Sequence, residues 1–341
     1  MKILVTGGAG FIGSNFILQL LENDPQIEIV NLDSLTYAGN LENLRSIEGD
    51  PRHRFVHGDI CNKEDVAGAW AEDIEACVHF AAESHVDRSV EGPEVFLQTN
   101  VMGTQILLER QRQLGHGRFV MVSTDEVYGS LGAEGAFTEE TPLAPNSPYS
   151  ASKASADLLC RAYHHTFGMD VVTTRCSNNY GRFQFPEKLI PLMIANALED
   201  KALPVYGDGK NVRDWLHVGD HCSAIDAVMR KGQSGRIYNV GGNSERQNIE
   251  VVKVLLDALG KSHDLITYVK DRPGHDLRYA IDASRIRDEI GWEPSVVFED
   301  GIAGTIQWYL DNGDWLEQVR SGAYRGYYEK MYGERLGGGG G

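Results

Sequence analysis

Lys2-Ile3-Leu4-Val5-Thr6-Gly7-Gly8-Ala9-Gly10-Phe11-Ile12-Gly13 decides the fold of this chain. An apolar run, closely spaced glycines and an apolar-periodic segment to about Glu22 predict a buried parallel strand, a glycine turn and a helix. The glycines satisfy G-x-G-x-x-G at Gly8, Gly10 and Gly13, and equally G-x-x-G-x-x-G at Gly7, Gly10 and Gly13. Either spacing lets backbone amides and a helix amino terminus approach a pyrophosphate. A second strand over 28–32 ends at Asp33, about where the acid that holds a ribose belongs. A carboxylate there accepts from a 2′-hydroxyl and repels a 2′-phosphate. The adjoining Ser34 and Leu35 bring no arginine, so the pattern favours NAD over NADP.

Strand–helix alternation continues through 54–57 and 76–80, which predicts an α/β protein with a Rossmann-like, doubly wound parallel sheet. Asp59 and Ile60 follow the first of these strands and can flank an adenine. Ala81 and Ala82 follow the second and let backbone pass close to a cofactor. A long helix over 93–114 and a strand from Phe119 lead to Ser123-Thr124-Asp125-Glu126-Val127-Tyr128-Gly129. That stretch puts a hydroxyl and two adjacent carboxylates at a strand's carboxyl end, where open α/β sheets bind ligands. If 149–168 is helical, Tyr149 and Lys153 share one face, and a nearby ammonium would favour the tyrosinate, turning a phenol into a base.

After a strand over 170–175, the polar stretch 177–217 predicts long loops forming a ligand lid, followed by helices over 221–230, 249–259 and 284–290. The expected organisation is an NAD-binding domain made mainly of 1–175 and a smaller substrate-binding region made mainly of 176–336, interleaved with it. Gly337 to Gly341 are expected to form a flexible tail.

At 341 residues the chain can bury a substantial core. Its net charge of −17 argues against nucleic acid or anionic membrane as a partner, while leaving room for a small anionic ligand in a local basic pocket. The five cysteines are odd in number and lack any C-x-x-C spacing, which predicts reduced thiols in a cytoplasmic protein. No apolar run is long enough for a membrane span. His79, His164 and His165 stand without metal-ligand spacing, so no metal is expected.

The glycine turn, Asp33 and the Tyr149-x-x-x-Lys153 pair resemble the extended short-chain dehydrogenase/reductase superfamily over about residues 1–315. Four longer stretches, 81–89, 123–129, 186–191 and 271–276, are similar to its nucleotide-sugar 4,6-dehydratases. Sugar 4-epimerases of that superfamily carry small residues where this chain has Asp125 and Glu126. The resemblance implies a glucose carried on thymidine diphosphate as substrate and a tightly bound NAD. The reaction it implies is oxidation at C4, elimination of water across C5 and C6, and return of the hydride to C6.

By the same resemblance Tyr149 is the base at the C4 hydroxyl, Lys153 tunes it, and Thr124 orients O4; Glu126 takes the C5 proton and Asp125 protonates the departing C6 hydroxyl. NAD contacts are implied for Gly7, Gly10, Phe11, Ile12, Gly13, Asp33, Ser34, Leu35, Thr36, Asp59, Ile60, Ala81, Ala82, Ser84, Asn100, Tyr149, Lys153 and Asn179. Substrate contacts are implied for Ser84, Thr124, Asn178, Lys188, Leu189, Pro204, Val205, Tyr206, Asn248 and His275, with Arg213 and Arg272 on the diphosphate. The helices over 93–114 and 149–167 would form a four-helix homodimer interface. The chain departs from the family at Arg182-Phe183, where Pro-Tyr is usual, and the stretch after Trp315 is not covered. Competing readings are a dehydratase or 4-epimerase of UDP- or GDP-linked sugars, and a catalytically silent NAD-binding scaffold.

Overall fold

The opening apolar run forms β1 (Lys2–Thr6), buried from Ile3 onward, as a strand covered on both faces must be. The computed structural model describes residues 1–320 apart from 72 and 272–274. The first half continues with α1 (Phe11–Asn23), β2 (Glu28–Asp33), β3 (His53–His57), α2 (Lys63–Ala69), β4 (Ala76–His79), α3 (Val86–Glu91) and α4 (Pro93–Phe96). A π-helical run, Leu97–Gly103, then passes directly into α5 (Thr104–Leu114), followed by β5 (Arg118–Thr124), α6 (Pro148–Phe167) and β6 (Val171–Cys176). The second half contains β7 (Asn178–Tyr180), α7 (Leu189–Leu198), β8 (Leu203–Tyr206), β9 (Val212–His217), α8 (Val218–Lys231), β10 (Ile237–Val240) and β11 (Glu245–Gln247). It closes with α9 (Asn248–Leu259), β12 (Ile266–Val269), α10 (Ser284–Ile290), α11 (Phe298–Asp311) and α12 (Gly313–Val319).

Seven strands form one parallel sheet in the order β10-β6-β5-β4-β1-β2-β3. The order reverses between β1 and β4, which opens a crevice beyond their carboxyl ends. Thr6 pairs with His79 there, and Gly7 turns away at φ +74°. A Cβ on Gly7 would lie 2.6 Å from the amide nitrogen of Ala81, so only glycine fits.

On one face of the sheet Phe16, Ile17 and Leu20 of α1 pack with Ile225 and Val228 of α8. On the other, Trp70, Leu107, Leu108 and Cys160 form a second core. A third core is built by the second half alone, from Tyr180, Ile194, Val252, Leu255, Ile302 and Trp315. All five cysteines are free thiols, buried except for half-buried Cys61.

The expectation of a loop-built lid over 177–217 is corrected: the stretch holds β7, α7, β8 and β9. Leu189–Leu198 is apolar nearly throughout, so it carries no amphipathic period, and Pro191 sits in the first turn, where a missing N–H costs nothing. The long helix is present from Pro93 to Leu114, but interrupted by the π run. Asn100, within that run, is buried and clamps the loop after β4 to α6. It accepts from Glu83 N and donates to Glu83 O, both at 2.9 Å, and donates to Ser152 Oγ at 2.8 Å. The glycine tail and the rest of the stretch beyond 320 lie outside the described residues.

Beneath α6 lies a buried ion pair, Arg175 Nε to Asp157 Oδ2 at 2.8 Å, with Arg175 also donating to the Tyr128 hydroxyl at 3.0 Å. Arg175→Met strands the carboxylate and should cost about 3–5 kcal/mol in urea denaturation. Adding Asp157→Leu should recover most of that loss, because both charges are then gone. A single variant as stable as the wild type would contradict the assignment.

Candidate active site

Asp33 ends β2 with both carboxylate oxygens engaged: Oδ2 accepts from Ala9 N at 2.9 Å and Oδ1 from Leu35 N at 2.8 Å. The candidate ribose acid therefore also pins the glycine turn. Burial raises its pKa, and the two amides partly offset that. Gly10 caps α1, whose first turn carries no acidic residue to compete with an anion. A Cβ on Gly13 would sit 2.2 Å from Gly7 O, so the turn can only be this tight with glycine. A backbone cradle at a helix amino terminus, with a carboxylate at the next strand's end, fits a dinucleotide of the NAD type.

One cavity runs from this cradle to the end of β5. Of the expected cofactor residues, Gly7, Gly10, Phe11, Ile12, Gly13, Asp33, Ser34, Thr36, Asp59, Ile60, Ala81, Ala82, Ser84 and Asn179 line it. Thr124, Asp125, Glu126, Tyr149 and Lys153 line it too, as do Asn178 and Lys188. The structure thus brings most of the expected cofactor residues and the five expected catalytic residues to one place.

Other expected contacts lie outside this cavity. Leu35 sits at φ +51° with its amide held by Asp33. Asn100 stands behind the wall as a clamp. Leu189 opens α7 and Asn248 opens α9. Pro204 and Val205 are buried in β8, where Val205 belongs to the third core, while the Tyr206 hydroxyl donates to Asp87 Oδ2 at 3.2 Å. His275 Nδ1 is 2.6 Å from Asp271 Oδ1. Arg213, expected on a diphosphate, is buried; its guanidinium donates to Val212 O at 2.7 Å and Asp276 O at 3.0 Å and stacks 4.4 Å over Tyr279. Arg272 lies outside the described residues.

The acid pair follows β5 directly and begins a tight 3-10 turn, Asp125–Tyr128. Thr124 Oγ1 accepts from Glu126 N and donates to Asp125 Oδ1, both at 3.3 Å. Asp125 is only 2% exposed, whereas Glu126 is half-buried. Burial pushes Asp125 well above the usual carboxylate range, the adjacent Glu126 and Asp214 charges push it further, and Arg213 opposes them. A carboxyl whose burial favours its protonated form stands beside one nearer to water.

The Tyr149 phenol is likewise raised well above its ordinary value, first by burial and then by the Glu126 charge, with a hydrogen bond to Thr124 opposing. Lys153, 4% exposed, donates from Nζ to Val122 O at 2.8 Å, and burial lowers its pKa. Burial thus works against a tyrosinate at Tyr149, while Lys153, one helical turn along α6, places one of its three donors on Val122 O. Sequence reasoning also passed over Tyr37 as a neighbour of the site, and over Glu187, a cavity-lining carboxylate inside the quoted stretch 186–191.

Residues 4–305 match the family described as GDP-mannose 4,6 dehydratase. A dTDP-glucose 4,6-dehydratase of Xanthomonas campestris is 58% identical, the match covering 94% of this chain and 97% of that protein. The crystal structure of a dTDP-glucose 4,6-dehydratase from Bacillus anthracis in complex with NAD is 54% identical with a TM-score of 0.88, covering 94% of this chain and 99% of that one. The same enzyme from Streptomyces venezuelae, DesIV, solved with NAD and TYD bound, is 52% identical with a TM-score of 0.90, covering 94% of this chain and 100% of that one.

The electrostatics of Asp125 have a measurable sign. Its folded-state pKa lies above the unfolded value of 3.8, so its ionised form costs stability that is absent below that value and grows as pH rises toward the folded pKa. Asp125→Asn should therefore melt higher than wild type at pH 7, and the gap should narrow on acidification toward the unfolded value. A variant less stable at pH 7, or a gap independent of pH, would refute the assigned burial cost.

Proposed function

We propose that this chain, which belongs to the GDP-mannose 4,6-dehydratase family, converts dTDP-glucose to dTDP-4-keto-6-deoxyglucose and water as an NAD-dependent lyase. The observation that carries this reading is the placement of Asp125 and Glu126, one buried and one half-buried, in the same cavity as Tyr149, Lys153 and the dinucleotide cradle. The dTDP-glucose 4,6-dehydratases at 49–58% identity support it. A redox site alone needs no acid pair at this position. An elimination needs one acid and one base at the same moment.

The hydrogen on C5 of glucose is not acidic until C4 is a ketone, so oxidation comes first. NAD, when bound, supplies the acceptor for the C4 hydride and later the donor that returns it to C6. Tyr149, as the phenolate, takes the C4 hydroxyl proton, with Thr124 orienting O4. Lys153 holds α6 against β5 and faces the cofactor side of the cavity. Glu126 removes the C5 proton and returns it once C6 has been reduced. Asp125 gives its proton to the C6 hydroxyl, which leaves as water. Protons balance because the one Tyr149 gains from O4 replaces the one Asp125 loses. Asn178, Ser84 and Lys188 line the same cavity and are assigned in this reading to sugar and diphosphate oxygens.

Incubation with dTDP-glucose deuterated at C4 tests the scheme as a whole. Deuterium should appear at C6 of a 4-keto-6-deoxy product. In Glu126→Gln, turnover should fall at least ~100-fold with reduced cofactor accumulating, since the step after C4 oxidation is blocked. Recovery of a 4-epimer, or unimpaired turnover in that variant, would defeat the reading.

We also infer a cytoplasmic homodimer. No helix among the described residues is long and apolar enough to cross a membrane, and the free cysteines suit a reducing compartment. Val95, Leu97 and Met102 along the Pro93–Leu114 helix and Leu158 and Phe167 of α6 are exposed, an apolar face that a second copy would cover. Sedimentation at twice the mass of the chain is expected, and a monomer at micromolar concentration would overturn the inference.

A further inference from the structure

Beside the reacting residues, the cavity has a closure that the proposed reaction does not use. One rim is the segment after Asp33, where Thr36, Ala38 and Gly39 line the cavity. This rim lies against the ribose acid: a Cβ on Gly39 would be 2.9 Å from Asp33 Oδ1. The opposite rim is the stretch before α7, where Phe185, Glu187 and Lys188 line it.

Side chains join the two rims. Glu187, 6% exposed, accepts from the Tyr37 hydroxyl on Oε1 and from Arg88 Nε on Oε2, each at 3.1 Å. The Arg88 guanidinium lies 4.0 Å over the Tyr37 ring, which meets Phe185 edge-on at 5.6 Å. Lys188 donates to Ser84 O at 2.9 Å, fastening the same rim to the loop before α3. Burial raises Glu187, and Lys188, Arg88 and Tyr37 oppose that. A buried carboxylate paired this closely is costly to separate, since parting the rims exposes an ion pair and breaks a hydrogen bond to a charged group. Tyr37 and Glu187 are 150 residues apart in sequence, so the contact exists only when the second half has closed on the first.

We propose that Tyr37, Arg88 and Glu187 form a latch that retains NAD between turnovers. The inference rests on the proposed cycle in one respect: a reaction that returns its hydride to the sugar regenerates NAD in place and gains nothing from releasing it. The three residues act as positioning residues. They hold the rims together over the adenosine end of the cleft and set the rate at which the cofactor escapes, leaving the hydride path to other groups.

The test is a chase. Holoenzyme loaded with radiolabelled NAD is mixed with excess unlabelled NAD, without sugar, and the loss of label is followed in wild type, Tyr37→Phe and Glu187→Gln. Tyr37→Phe keeps the ring under Arg88 and against Phe185, so its melting temperature should match wild type while label leaves faster. Loss of a hydrogen bond to a charged group corresponds to about tenfold faster release. Glu187→Gln should release faster still, with added NAD restoring its turnover. Unchanged release from Tyr37→Phe together with unchanged release from a folded Glu187→Gln overturns the latch. Because the chase uses no sugar, a failed deuterium transfer with accelerated release would sink the dehydratase reading and leave the latch standing. Intact deuterium transfer with unchanged release would do the reverse.

Discussion

A buried ammonium sets the geometry on which the site depends. Lys153 reaches from α6 to the carbonyl of Val122 near the end of β5. Thr124, Asp125 and Glu126 follow within four residues on the same strand end, and Tyr149 lies one helical turn back along α6. One hydrogen bond therefore fixes how far the redox pair stands from the acid pair. A buried ammonium left without a partner is penalised by several kcal/mol, so α6 cannot slide along the sheet. The helix start is fixed as well: Ser147 Oγ accepts from Ser150 N, Ser150 Oγ accepts from Ser147 N, both at 3.0 Å, and Pro148 occupies the first position.

The same burial acts oppositely on the two halves of the chemistry. It favours neutral Asp125, which is the form an acid catalyst must hold at rest. It also favours neutral Tyr149, which is the wrong form for a base. A base at this position therefore has to be ionised against the cost of its burial. Glu126 raises both neighbours, so removing its charge alters acid, base and phenol together.

Local signals carried most of the first half. Strand, glycine turn and helix were legible to within a residue, since the buried run, the spacing of Gly7, Gly10 and Gly13 and the terminal Asp33 all describe one local geometry. The acid pair was legible for the same reason. What sequence could not show were choices made by distant partners. Tyr149 and Lys153 do share a helix face, yet the ammonium takes a carbonyl 31 residues away. Arg213 has the chemistry of a diphosphate ligand, and sequence could not show that Tyr279 and the Asp276 carbonyl also hold its guanidinium. α7 hid because an all-apolar helix has no polar face to give it a period.

The unusual Arg182-Phe183 turn shows how the two halves are held in register. Phe183 adopts φ +68°, a conformation that costs a non-glycine residue energy, and its ring packs 5.0 Å from Trp308 in the third core. Arg182 donates to Asn15 Oδ1 at 2.7 Å, and Asn15 Nδ2 donates back to Arg182 O at 3.1 Å, which ties that core to the helix following the glycine turn. A second route leads to the same place: Trp315 of α12 donates to Asn43 Oδ1 at 2.8 Å, and Asn43 donates to Ala9 O within the turn at 2.9 Å. Both ends of the substrate-side core therefore bear on the cofactor cradle. A hydride that must leave one sugar carbon and return to another tolerates little relative motion between cradle and substrate wall, and these two hydrogen-bonded routes hold them together.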